Sequence, residues 1–213
     1  MGRLRMNDPE GMRNRVLDAA AEAFQARGYH ATSMHDVMKA AEMSGGALYH
    51  HFPTKKDLAL AVIRERVAAA VEATWIAPVQ RARRATDGIA AVFASIITEL
   101  TERGAVRGCP LANLGLELSL ADPQLRAAVQ AVYDTWRTAL AEKFRADKVA
   151  GDPDGLATFV ISAYSGAMAL AKAEQSPAPL QTCIEQLTPS LAPRGKSAAA
   201  AGKLTGRSRD REQ

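Results

Sequence analysis

The sequence predicts an all-α fold, and three observations carry that prediction. Hydrophobic residues fill 47% of 213 positions, yet aromatics only 5%, and about one residue in five is alanine. That mix favours helices over strands. Apolar residues recur at three- and four-residue intervals, with no sustained period-two alternation. Helix-start signals repeat down the chain: Asp-Pro pairs, and Ser or Thr followed three residues later by Asp.

The elements follow in order. Asp8 is an N-cap with Pro9 at the first helical position. Val16, Leu17, Ala20, Ala21 and Phe24 form the apolar stripe of this helix, and Gly28 ends it. Ser33-Met34-His35-Asp36 is a capping box for a short helix to about Ala41. A second short helix starts at Ser44, whose hydroxyl can cap the amide of Gly46 or Ala47. It ends at His51-Phe52, because Pro53 pushes Phe52 out of helical geometry. A second capping box, Thr54 to Asp57, opens a long helix through Leu58, Val62 and Val67 towards Trp75, expected to stop before Pro78.

A further helix is expected from about Thr86 to Arg103, closed by Gly104. Another begins at Cys109-Pro110 and runs to about Ala121. Asp122-Pro123 opens a long one with Leu125, Val129, Val132, Trp136, Leu140 and Phe144 on one face. Asp152-Pro153 opens an unusually apolar one from Leu156 to about Glu174. The last carries Leu180, Ile184 and Leu187 and is expected to end at Pro189. From Arg194 the chain reads RGKSAAAAGKLTGRSRDREQ. It has no apolar face and is expected to be a disordered basic tail.

Several classes are set aside. The N-terminus lacks a secretory apolar region, and Met6 breaks the myristoylation pattern. The longest apolar run, Leu156 to Ala171, is interrupted by Thr158, Ser162, Ser165 and Gly166, so no membrane partner is expected. Cys109 and Cys183 lie too far apart in sequence to make a metal site alone. There is no nucleophile elbow, phosphate loop or zinc-ligand cluster, so neither catalysis nor a cofactor is expected. A cytoplasmic protein is the expectation. Net charge is +4. Residues 1–66 carry +2, residues 67–193 carry −2 and residues 194–213 carry +4.

Two short helices joined by a tight turn cannot fold alone. Packed between the helices before and after, they form a helix-turn-helix. The second presents Ser44, Gly45, Ala47, Tyr49 and His50, with Lys55 just beyond, while Leu48 and Phe52 can face inward. Such a set suits DNA. A helix N-terminus offers free amides to phosphate, and glycines let a backbone approach the duplex. Ser, Tyr and His bond phosphates or base edges.

The stretch Leu17 to Ile63 resembles the DNA-binding domain of the tetracycline-repressor (TetR) family. The matching residues are Ala20, Phe24, Gly28-Tyr29, Ala31-Thr32-Ser33 and Ala40-Ala41. They continue as Ser44-x-Gly46-x-Leu48-Tyr49-x-His51-Phe52 and Lys55-x-x-Leu58. The resemblance implies a three-helix DNA-binding domain (residues 1–56) before a helical ligand-binding and dimerisation domain (57–193) and the tail (194–213). It implies that Ser44, Gly45, Gly46, Ala47, Tyr49, His50 and His51 line the reading helix. Lys55 would hold a phosphate, and Ser33 or Met34 would sit at the DNA backbone. Two departures stand out: Met43 replaces a smaller residue, and the reading helix has no Arg or Lys. A bidentate arginine–guanine contact is therefore unavailable from it. Base reading must use Tyr49, His50, Ala47 against a thymine methyl, and DNA shape. The arm Gly2-Arg3-Leu4-Arg5 is a candidate for groove or phosphate contact.

Candidate ligand residues are Trp75, Phe93, Cys109, Asn113, Glu117, Trp136, Phe159 and Tyr164; plain core packing is the alternative for the aromatics. Cys109, near a helix start and beside Arg107, is either a thiol of lowered pKa that senses electrophiles or oxidants, or a small capping or core residue. His50-His51 is read as DNA contact or packing rather than a metal site. Small residues Ala163, Gly166, Ala167 and Ala171, with the Leu180–Leu187 stripe, suggest pairing of the two C-terminal helices between subunits. The sequence thus points to a homodimeric repressor of double-stranded operator DNA, released by a small molecule. A Cys109-switched repressor is the alternative.

Overall fold

The computed structural model describes residues 8–191. The N-terminal arm and the basic tail lie outside these residues. Nine helices and no strands are present among the described residues. They are α1 (Pro9–Arg27), α2 (Met34–Ala40), α3 (Gly45–His51), α4 (residues 55–81), α5 (Ala85–Arg103), α6 (Pro110–Leu118), α7 (Pro123–Ala146), α8 (Pro153–Glu174) and α9 (Ala178–Ser190).

The caps form as the residue types demand. Asp8 accepts from Gly11 N at 2.9 Å. Ser33 accepts from Asp36 N at 3.1 Å, while Asp36 accepts from Ser33 N at 2.8 Å. Thr54 and Asp57 repeat this box, each bond 3.1 Å long. Asp122 and Asp152 cap α7 and α8 ahead of Pro123 and Pro153. The α1 stripe buries Val16, Leu17, Ala20 and Phe24; Ala23 is buried in place of Ala21, which stays half-buried.

Three helix ends differ from expectation. The fourth helix runs through Pro78 to Arg81 because two π-helical turns, Ile63–Val67 and Glu72–Ile76, interrupt its ladder. The second turn, in which Ala77 N donates to Glu72 O, places Pro78 at a local restart where its missing N–H does little harm. Helix α6 stops at Leu118, short of Ala121, and α9 takes in Pro189 before ending at Ser190.

One apolar core links all the elements from Val16 to Leu191. Helix α1 is tied to α4 by the Arg13–Glu65 pair at 2.5 Å and by Arg66 on Asp18 at 2.6 Å. Helix α8 packs between α7 and α9. It is long and apolar enough to cross a membrane, with a mean hydropathy of 1.3, as a packed core helix also can be.

Candidate nucleic-acid interface and inner cavity

The turn between α2 and α3 is built without glycine. Met43 N donates to Met38 O at 3.1 Å and Glu42 N to Lys39 O at 3.2 Å, the bonding of a Schellman motif. Glu42 takes the left-handed position at φ 55°. Met43, the departure noted in sequence, packs half-buried against the core, as does Met38. The turn thereby aims α3 outward. Ser44 caps Ala47 N at 3.4 Å, and Leu48 and Phe52 are the buried anchors.

What remains outside is the reading surface. Ser44, Gly46, Tyr49 and His50 are exposed, with Tyr49 53% accessible. Gly45, Ala47 and His51 are half-buried, the His51 ring lying 6.4 Å from that of Phe52. Neither glycine is required by the interior. A Cβ on Gly46 would meet nothing within 4 Å, and one on Gly45 only Met38 Sδ at 3.7 Å. Their small size leaves the outer approach open. Ser33 is exposed, but its hydroxyl already serves the α2 box and donates to Asp36 at 2.6 Å; Met34 is half-buried. Lys55 lies with Nζ 4.2 Å over the Tyr29 ring and donates to His30 O at 3.3 Å. Partial burial lowers its pKa.

Four of the candidate ligand aromatics meet in the body. Trp75 lies 4.7 Å from Tyr164, 4.9 Å from Trp136 and 5.6 Å from Phe93, centroid to centroid. A cavity of about 320 Å³ opens beside them, lined by Trp75, Trp136, Tyr164, Ile96, Leu100 and Met168. Phe93 is fully buried behind this wall rather than in it. The Trp75 and Trp136 indole nitrogens are buried and find no acceptor with hydrogen-bond geometry. Each such donor costs about 1–3 kcal/mol. At the rim, Glu22 pairs with Arg107 and Glu99 with Arg103.

Cys109 is the wall between this cavity and a larger groove of about 600 Å³, which runs past Asn113, exposed Leu116 and Tyr133. Its thiol is 6% exposed. Burial pushes its pKa up, offset in part by the amides of Ala112 and Leu111 and the Tyr164 hydroxyl. Of the two readings of Cys109, burial and a raised pKa agree with the small core residue and not with a thiol of lowered pKa; Arg107 is paired with Glu22 on α1. Burial also raises the Tyr133 hydroxyl to about 12 and the Tyr164 hydroxyl further.

Three other candidates fall outside the inner cavity. Phe159 is 50% exposed on α8, in a groove with Leu170 and Cys183. It stands five residues from Tyr164, about 140° around the helix. Asn113 Nδ2 donates to Arg107 O at 3.0 Å and to Gln25 Oε1 at 3.3 Å. Glu117 accepts from His30 N at 3.2 Å and lies against Gly28, where an added Cβ would come within 2.5 Å of it. Asn113 and Glu117 are therefore joint residues between α6 and the DNA-reading head. Sequence reading missed the partner of Asn113, Gln25, whose Nε2 donates to Gly108 O at 2.7 Å. Nothing about an isolated glutamine on a polar face announces a contact 83 residues away. Lys56 and Asp122 add a second tie at 2.7 Å.

An outward-aimed short helix, held by a tight turn on a preceding helix and carried on a helical body, is the arrangement of helix-turn-helix DNA-binding regulators. Comparison with known proteins takes this further. Residues 16–62 match the family described as bacterial regulatory proteins, tetR family, and residues 85–186 match the LmrA/YxaF-like transcriptional regulator C-terminal domain. The transcriptional regulator AcuR of Cereibacter sphaeroides is 31% identical over 180 residues, 78% of this chain and 79% of that protein. The HTH-type transcriptional repressor DhaR of Mycobacterium sp. is 25% identical, over 85% of this chain and 93% of its own. A regulatory protein TetR from Rhodobacter sphaeroides superposes with a TM-score of 0.76 at 26% identity, covering 85% of this chain and 99% of that one. The chain belongs to the TetR family and is a DNA-binding transcriptional regulator.

Proposed function

We propose that the chain is a homodimeric repressor, acting on chromosomal DNA in the cytoplasm and released from a palindromic operator by a small molecule in the inner cavity. The observation that carries this reading is the composition of the cavity wall. Glu22 and Gln25 of α1 share it with Trp75, Trp136 and Tyr164 of the body. An occupant therefore touches the reading head and the body at once. It would bias their relative position if it fitted one arrangement better than another.

Residues 1–56 would be the reading head and 57–193 the regulatory and dimerising unit. Exposed Phe159 and Leu170, beside Cys183 and Leu187, offer an apolar face on α8 and α9 for a second subunit. Two-fold symmetry would set half-sites about 34–36 Å apart or a multiple of that. Ser44, Gly46, Tyr49 and His50 would face the major groove, and Ser33, Met34, Lys55 and the half-buried Gly45, Ala47 and His51 would flank it. The basic tail would add salt-sensitive affinity without sequence preference.

The test is operator selection from random duplexes with the full chain, followed by gel retardation and a release screen. A two-fold symmetric site is expected, lost with Tyr49→Ala. Full-strength binding by Tyr49→Ala would remove α3 as the reading helix.

A further inference from the structure

We propose that the inner cavity takes an uncharged ring compound whose carbonyl or similar oxygen accepts a hydrogen bond from the indole N–H of Trp75 or Trp136. The inference deepens the effector reading above, naming the chemistry of the occupant.

Three observations lead to it. First, the cluster holds buried donors and lacks acceptors. Trp75 is 2% exposed and Trp136 fully buried; Trp75 Nε1 has only the Tyr164 hydroxyl beside it, outside hydrogen-bond geometry, and Trp136 Nε1 has no partner. An indole nitrogen only donates, so its missing partner must be an acceptor. The oxygens among the clustered rings are phenol hydroxyls already engaged elsewhere: Tyr164 faces the Cys109 thiol, and Tyr133, stacked on Trp136, faces Ser165. Second, the rim offers no spare charge. Its carboxylates and guanidiniums are matched, Glu22 with Arg107 and Glu99 with Arg103. A charged ligand would lose its water without gaining a counter-ion. Third, the space of about 320 Å³ is at the small end of ligand cavities, and its wall is mostly ring and alkyl surface.

The indole nitrogens are covered in this packing. Admission of an acceptor requires a ring to turn. Trp75 sits in the π-helical turn Glu72–Ile76, where the backbone ladder of α4 is already irregular. That is a place where the helix can give without unravelling.

The chain has two tryptophans, and both lie in this cluster. Intrinsic fluorescence therefore reports on the site directly. The experiment titrates full-length protein, without DNA, with three matched probes: 1-indanone, indane and indane-1-carboxylate. Affinities are read by calorimetry and fluorescence. Indanone is expected to bind about three- to tenfold more tightly than indane, the worth of one net hydrogen bond. The carboxylate should bind more weakly than indanone. Trp75→Phe and Trp136→Phe, made singly and checked by thermal melting, keep the ring volume and remove one donor each. At least one should erase the preference for indanone while leaving indane affinity within about twofold. Equal affinity for indanone and indane, tighter binding of the carboxylate, or a preference surviving in both variants would overturn the assignment. So would the absence of binding by any probe at millimolar concentration. Release from DNA is scored separately. Donor-dependent binding that leaves the DNA complex intact supports this inference while removing the release mechanism.

Discussion

The reading head and the body solve the same problem by different means. In the head, helices of seven residues are held by local hydrogen bonds between neighbours: Ser33 with Asp36, Ser44 with Ala47, Thr54 with Asp57. In the body, long helices such as α4 (residues 55–81) and the 24-residue α7 are held by large side chains meeting from distant parts of the chain. A short helix cannot persist on its own, so its ends must be specified residue by residue. A long buried helix leaves more to packing and tolerates an irregular ladder or an unpartnered indole. The head is therefore sensitive to single polar groups and the body to lost volume.

The largest effect expected from that difference is at Trp136. It is fully buried, and Trp136→Ala should cost about 3–5 kcal/mol in chemical denaturation. A loss below about 1 kcal/mol would mean the cluster contributes little to the body. Next comes the α2 cap. Ser33→Ala should cost about 1 kcal/mol, concentrated in faster amide exchange of α2 and α3. It also carries a pH signature. The bonds from Ser33 hold the Asp36 carboxyl below its ordinary pKa. A lowered folded pKa means stability present above the unfolded carboxylate range and lost as pH falls through the folded value. Asp122, held down by Lys56, should behave alike at the joint. Ser33→Ala should therefore flatten the acid side of the stability profile; an unchanged acid limb would detach Asp36 from it.

Two smaller substitutions sharpen the contrast. Glu42→Gly relieves a left-handed side chain and should stabilise the head by about 0.5–1 kcal/mol. Gly46→Ala should stabilise it by about 0.5 kcal/mol, since the added methyl meets nothing and helix propensity improves. Its operator affinity should nonetheless fall. Unchanged affinity would show that the glycine is not there for the duplex.

How much was legible follows the same line. Every side-chain cap named above was readable in sequence because the partners lie within three residues of each other. The core stripe of α7 was readable from its period alone. The ends of α2 near Ala41 and of α8 at Glu174 were readable too, but the left-handed residues that close them, Glu42 and Gln175, and Lys148 just after α7, were not, because glycine is the usual signal there. The π-helical turns carry α4 past Pro78, and they leave no mark in the sequence. Among the candidate ligand residues, Trp75, Phe93, Trp136 and Tyr164 meet in one cluster. Phe93 lies behind the cavity wall and Phe159, Asn113 and Glu117 lie elsewhere, because residue type shows neither which side of a helix faces the cavity nor what lies opposite.

The joint between body and head has a consequence for how such a protein can diversify. Glu117 holds the His30 amide, and Gln25 holds the carbonyls of Gly108 and Arg107. Each of these grips main chain, and none grips a side chain of α3. Side chains of α3 can change without remaking the joint that holds the head on the body, provided position 28 stays glycine to admit the carboxylate. The joint and the outer face of α3 are separately editable parts of one chain.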